Sequence, residues 1–251
     1  YGCQMNVHDS ERMAGLLEQS GYDPAGSEAD ADLVVINTCS VRERAEEKLY
    51  TRLGEIRHMG RERGRDPIVA VTGCVAQQEG DHLIRRSKGV VDLVVGTQQV
   101  KMLPMLAAQA AERQVPLISI ANPYEEPSFP LGLVKRSDPV RAYVTITEGC
   151  NDFCAFCVVP YTRGHERMRS KAEILADVED AASSGRLEVL LLGQIVNHYQ
   201  APDDPACDFP ALLEAVHNIS GVERIRFASP HPRHTSDRLI SAVQDLPKVC
   251  K

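Results

Sequence analysis

Leu33–Thr38 (LVVINT), Ile68–Gly73 (IVAVTG) and Val91–Gly96 (VDLVVG) are continuous apolar runs rich in Val and Ile, separated by stretches with helical periodicity. Runs of this kind are strands buried on both faces, which requires a parallel sheet covered by helices. The intervening text agrees. Asp9–Gln19 carries Met13, Leu16 and Leu17 at helical spacing, opens on the capping types Asp9 and Ser10, and is closed by Gly21. Ser40 is placed to cap the next helix, through Leu49, Leu53 and Ile56, with charges on its outer side.

From Ala121 to Asp138 the text ANPYEEPSFPLGLVKRSD loses all period, which predicts a linker between a first domain (1–120) and a second (139–251). The second domain alternates again. Strands are expected at Val140–Thr147, Glu188–Leu192 and Arg224–Ala228, and helices at Lys171–Ser183, Pro210–Ile219 and Ser236–Leu246. The fold class is α/β: an open parallel sheet domain, then the beginning of a β/α barrel. The opening Gly-Cys turn without a strand before it, and the close at LPKVCK, give the expectation of a fragment of a longer protein.

With 251 residues, 43% of them hydrophobic, the chain can bury a substantial core. A net charge of −7 argues against a general nucleic-acid coat, so any RNA contact must be local. No run approaches the roughly 20 apolar residues of a membrane span and no signal peptide opens the chain, so the sequence reads as cytoplasmic and away from membranes.

Eight cysteines in such a chain point to metal rather than disulfides. Cys150, Cys154 and Cys157 form C-x3-C-x2-C directly after a strand. Three thiolates this close can hold three corners of a 4Fe-4S cluster and leave one iron open to a substrate. A zinc knot is the alternative, but tetrahedral zinc normally takes four ligands in paired C-x2-C units. Cys3, Cys39 and Cys74 lie about one β/α unit apart, in GCQMN, NTCSV and TGCVA, where parallel strands would bring their carboxyl ends to one edge. Three buried structural cysteines are the alternative there. Cys207 and Cys250 match no cluster motif and are expected to be free thiols.

The C-x3-C-x2-C loop with Phe156 before its last cysteine resembles the radical S-adenosylmethionine superfamily. That resemblance implies a partial (βα)6 barrel, a 4Fe-4S cluster on Cys150, Cys154 and Cys157, and S-adenosylmethionine cleaved reductively to a 5′-deoxyadenosyl radical. It also implies cofactor contacts at Phe156, at Gly193 and Gln194 after the second strand, and at Ser229 and His231 after the third. GCQMN, NTCSVRERAEEK, GCVAQ and CVVPYTRGHERMRS are similar to the methylthiotransferases, in their tRNA-modifying branch. This implies a second 4Fe-4S cluster on Cys3, Cys39 and Cys74. It also implies methylthiolation at C2 of N6-isopentenyladenosine beside a tRNA anticodon, an electron donor such as flavodoxin or ferredoxin, and a monomer. Ile195, in LGQIVNHY, departs from the Asn usual there. Arg163, His165, Arg167 and Arg169 make a basic strip expected to face the anticodon loop, a solvated charged face being its bland alternative. Related substrates are threonylcarbamoyl-adenosine in tRNA and a ribosomal-protein aspartate. A non-catalytic electron-transfer module with two clusters would instead cleave no S-adenosylmethionine.

Overall fold

The computed structural model describes residues 2–40, 43–64, 66–113, 115–120 and 134–251. The chain divides into two compact units, Tyr1–Lys135 with Phe156–Gly164, and Arg136–Ala155 with His165–Lys251. The segment 156–164 therefore belongs with the first unit, which a reading of consecutive domains does not anticipate. Most of the expected linker, 121–133, lies outside the described residues.

In the first unit, α1 (Gln4–Gln19), β1 (Leu33–Asn37), α2 (Glu43–Arg63), β2 (Ile68–Thr72), α3 (Cys74–Glu79), α4 (Asp81–Arg86), β3 (Leu93–Val95), α5 (Leu103–Arg113) and β4 (Leu117–Ser119) are joined by α6 (Val159–Arg163). The strands form a parallel sheet in the order β1-β2-β3-β4, with Val35 opposite Ala70 and Ala70 opposite Leu93. Successive side chains point to opposite faces, so each strand serves two cores. Val69 and Val71 pack with Leu49, Leu53 and Leu83 of α2 and α4. Ala70, Leu93 and Val95 pack with Met13, Leu103 and Ala107 of α1 and α5. This double burial accounts for the lack of apolar alternation in these strands.

α1 begins five residues before the expected Asp9 start, with Cys3 rather than Asp9 at its N-cap. Met5, Asn6, His8 and Asp9 are all buried, so packing extends the helix through positions whose polar text resembles a cap. Its end follows expectation. Gly21, at φ +86°, takes the left-handed turn after the helix, and the Gly21 and Tyr22 amides donate to the Glu18 and Leu17 carbonyls. The Ser40 hydroxyl, expected to cap α2, makes no hydrogen bond among the described residues.

The second unit contains β5 (Arg141–Thr145), β6 (Thr147–Glu148), β7 (Arg167–Met168), α7 (Lys171–Ser183), β8 (Glu188–Leu192), α8 (Phe209–His217), β9 (Arg224–Phe227) and α9 (Asp237–Asp245). β5, β8 and β9 are parallel neighbours in that order, and a parallel bridge from Ile225 to Val249 follows β9. Val144, Val189, Leu191 and Ile225 pack with Ile174, Val178, Leu212, Val216 and Leu239. Cys207, expected as a free thiol, lies fully inside this core, and burial pushes its thiol pKa up.

Candidate functional site

The first unit gathers its cysteines at the carboxyl end of β1 and β2. Cys39 stands two residues beyond β1 and Cys74 is the first residue of α3, while Cys3 caps α1. Cys3 reaches this edge at the start of α1. An amide network locks the helix there. Asn6 Nδ2 donates to Asn37 Oδ1 at 3.0 Å, Asn37 Nδ2 donates to the Asn6 carbonyl at 2.7 Å, and Cys3 Sγ donates to Asn6 Oδ1 at 3.4 Å.

The approach of these segments is close enough to demand glycine. A Cβ on Gly2, at φ +148°, would lie 2.6 Å from Asn6 Oδ1 and 2.8 Å from Cys39 Cβ. One on Gly73, at φ +90°, would lie 2.6 Å from the Thr38 carbonyl. The Cys3 thiol is lowered to about 5, first by a hydrogen bond from Cys39, against the opposing effect of burial; the Asn6 and Met5 amides and the charge of Arg163 add to the lowering. The Asn6 and Met5 amides at the N-terminus of α1, and the positive end of the helix dipole, thus face the Cys3 sulfur. Among the described residues, no three His, Cys, Asp or Glu side chains are set around one metal ion. A cubane suits a more widely spaced triad, and a glycine cradle with a low-pKa thiol at a helix N-terminus fits such an anionic group.

In the second unit, β6 and β7 pair antiparallel, Thr147 with Met168 and Glu148 with Arg167, and pinch the base of the cysteine loop. Asn151 Oδ1 holds that base shut by accepting from the Glu166 amide at 3.1 Å and contacting His165 Nδ1 at 2.8 Å. Cys150 is buried, with its sulfur accepting from the Asp152 amide at 3.5 Å, and Cys154 is exposed; Cys157, on the 156–164 stretch that belongs with the first unit, is half-buried. Phe153 takes φ +40°, a conformation costly for an aromatic residue. The Phe156 ring is 94% exposed.

Gly193, Gln194, Ser229 and His231 all fall at the carboxyl ends of β8 and β9. A Cβ on Gly193 would overlap the Thr147 γ-methyl. Gln194 Oε1 and Thr147 Oγ1 are buried with no hydrogen-bond partner among the described residues, as expected of groups that receive a polar ligand. Ser229, at φ +62°, offers its carbonyl to the Val196 amide at 3.3 Å. The His231 backbone is held by Asn197 at 2.7 and 2.9 Å, and its Nδ1 accepts from the Arg233 amide, so this ring already caps a turn.

The basic strip does not form a continuous exposed face, contrary to expectation. Arg163 is 4% exposed and pairs with Asp9 at 2.7 Å. Arg169 is buried, pairs with Asp177 at 2.9 Å and donates to the Thr145 and Glu173 carbonyls. Arg167 is half-buried against Glu148 at 3.2 Å, and His165 is the exposed member. In a chain of net charge −7, these cations are consumed by carboxylates.

Sequence reasoning passed over a polar cluster beside this edge. Glu166 Oε2 meets His198 Nδ1 at 2.7 Å, the His198 and His234 rings lie 4.2 Å apart, and Glu166 Oε1 and Asp152 Oδ2 are buried without hydrogen-bond partners among the described residues. Burial raises the Glu166 pKa, while burial and the neighbouring His198 and Arg233 lower that of His234. The available signal was two histidines, in VNHY and PHPRH, each just beyond a strand end.

Residues 1–96 match the model of "Uncharacterized protein family UPF0004", and residues 144–249 match that of the radical SAM superfamily. The two matches lie on separate stretches of the chain. Over 259 residues and all of this chain it is 45% identical to a tRNA-2-methylthio-N(6)-dimethylallyladenosine synthase of Mycolicibacterium vanbaalenii, covering 50% of that protein. It is 44% identical to the protein of that name from Pelotomaculum thermopropionicum, covering all of this chain and 56% of the relative. The chain thus spans about half the length of the curated relatives it matches. Among solved structures, the radical S-adenosylmethionine methyltransferase TsrM of Kitasatospora setae aligns with TM-score 0.53 at 14% identity, covering 97% of this chain and 58% of that one, a likeness of fold. No helix among the described residues is long and apolar enough to cross a membrane.

Proposed function

We propose that this chain is part of a radical SAM methylthiotransferase that adds a methylthio group to C2 of N6-isopentenyladenosine next to a tRNA anticodon. The reading is carried by the 45% identity, along the whole chain, to synthases so named. The convergence of Cys3, Cys39 and Cys74 on one sheet edge supports it. Cys150, Cys154 and Cys157 would hold one 4Fe-4S cluster and Cys3, Cys39 and Cys74 the other. When bound, the first supplies the low-potential electron that cleaves S-adenosylmethionine, and the second an iron site for the sulfur to be transferred.

The chain's own side chains orient and exclude. Gln194 Oε1 and Thr147 Oγ1 stand ready to accept from the ammonium of a bound methionyl group, and Gly193 keeps the strand end open for it. Glu166 Oε2 lies 2.7 Å from His198 Nδ1, and burial raises the Glu166 pKa. The exposed His165 offers a ring on which an unstacked base can lie. An anticodon-loop base suits such a site better than one inside a duplex. The donor is a low-potential carrier such as flavodoxin or ferredoxin, and the working unit is a monomer.

The test offers the complete protein three anticodon stem-loops, isopentenylated, bare and threonylcarbamoylated, alongside a ribosomal protein, with mass spectrometry reading the added SCH2 mass. Only the isopentenylated RNA is expected to gain it. Gain on another substrate moves the chain to a sister activity.

A further inference from the structure

Arg163 has the sequence setting of a phosphate contact, within four residues of His165 and Arg167, yet it is turned inward. Its guanidinium pairs with Asp9 Oδ2 at 2.7 Å, and both side chains are more than nine-tenths buried. Asp9 lies on the second turn of the helix that Cys3 caps, and Arg12 stands 3.9 Å from the other Asp9 oxygen. The Arg163 backbone is fixed as firmly as its side chain. Gln98 Nε2 donates to the Arg163 carbonyl at 3.2 Å, and the Thr97 hydroxyl donates to the Thr162 carbonyl at 2.5 Å. α6, which ends at Arg163, packs against α3, whose first residue is Cys74, and the charge of Arg163 acts on the Cys3 thiol.

We propose that Arg163 is a positioning residue of the first-unit site, its buried charge balancing the negative charge of the group held by Cys3, Cys39 and Cys74, with Asp9 setting how much of that charge is felt. The proposal rests on those three cysteines being cluster ligands. Its test separates the two claims. In protein carrying Cys150→Ala, Cys154→Ala and Cys157→Ala, so that only the first site can load, iron is counted and the midpoint potential is titrated by electron paramagnetic resonance. About four irons are expected per chain, and none would refute the cluster reading itself. Given iron, Arg163→Gln shifts the potential more negative, because the more anionic reduced state loses a cation. Asp9→Asn shifts it the opposite way, because Arg163 loses its counter-charge, and Arg163→Lys stays near the parent value. Opposite signs cannot come from a loosened fold. Unchanged potentials, shifts of one sign, or equal loss of iron from all three variants would overturn the role of Arg163.

Discussion

Glu188, the first residue of β8, sits between two arginines in register, Arg141 on β5 and Arg224 on β9, with Arg226 at 3.3 Å. Burial alone would raise its carboxyl. Hydrogen bonds from Arg141, Arg224 and Arg226 outweigh burial and bring the pKa to about 2 from an ordinary 4.5. A depressed carboxylate contributes stability that is complete above its unfolded pKa and disappears as pH falls through its folded one. Thermal unfolding followed from pH 6 to pH 2 should therefore lose stability below about pH 4.5, and Glu188→Gln should be less stable at pH 6 with a shallower slope over that window; parallel slopes would refute the assignment. The same competition explains what was illegible at this scale. A sequence displays the charges of Arg163 and Arg169 but not Asp9 or Asp177, 154 and 8 residues away, that consume them. The spacing of Cys150, Cys154 and Cys157 and the strand-end context of Cys39 and Cys74 are, by contrast, properties of the sequence itself.

At the scale of elements, local signals succeeded where the helix end is made by its own residues. α7 was read at Lys171–Ser183, and it is closed at its start by a capping box in which Ser170 accepts from the Glu173 amide at 3.2 Å and Glu173 accepts from the Ser170 amide at 3.2 Å. Ser170→Ala should cost about 1 kcal/mol in denaturant unfolding, whereas Ser40→Ala, at a cap that makes no bond, should cost less. Equal costs would show the capping box to be idle. The early start of α1 was hidden because buried Asn6 and Asp9 gain their partners, Asn37 and Arg163, from distant segments. β4 was hidden for a different reason. Leu117–Ser119 is only three residues long, at the sheet edge with Ile118 exposed, and so lacks the apolar run that marks β1 and β2.

For the whole molecule, two cysteine triads lie on stretches of chain that can be mutated independently, which makes their duties separable by experiment. If each holds a cubane, anaerobic reconstitution should give about eight irons per chain, and Cys154→Ala about four. Zinc alone, or iron unaffected by Cys154→Ala, would remove the two-cluster reading. Cys39→Ala bears on the division of labour. Its thiol belongs to the network that lowers Cys3, whereas Gln194 and Ser229 stand at strand ends of the second unit. The complete protein with Cys39→Ala should keep about four irons and still release 5′-deoxyadenosine from S-adenosylmethionine under reductant, while adding no methylthio group to isopentenylated RNA. Retained circular dichroism is the control, because Cys39 is buried where Gly2 approaches its Cβ and the substitution removes only the sulfur. Full methylthiolation by this variant would mean that sulfur insertion does not pass through the first unit. Loss of both activities with native circular dichroism and four irons would mean that the radical site needs Cys39.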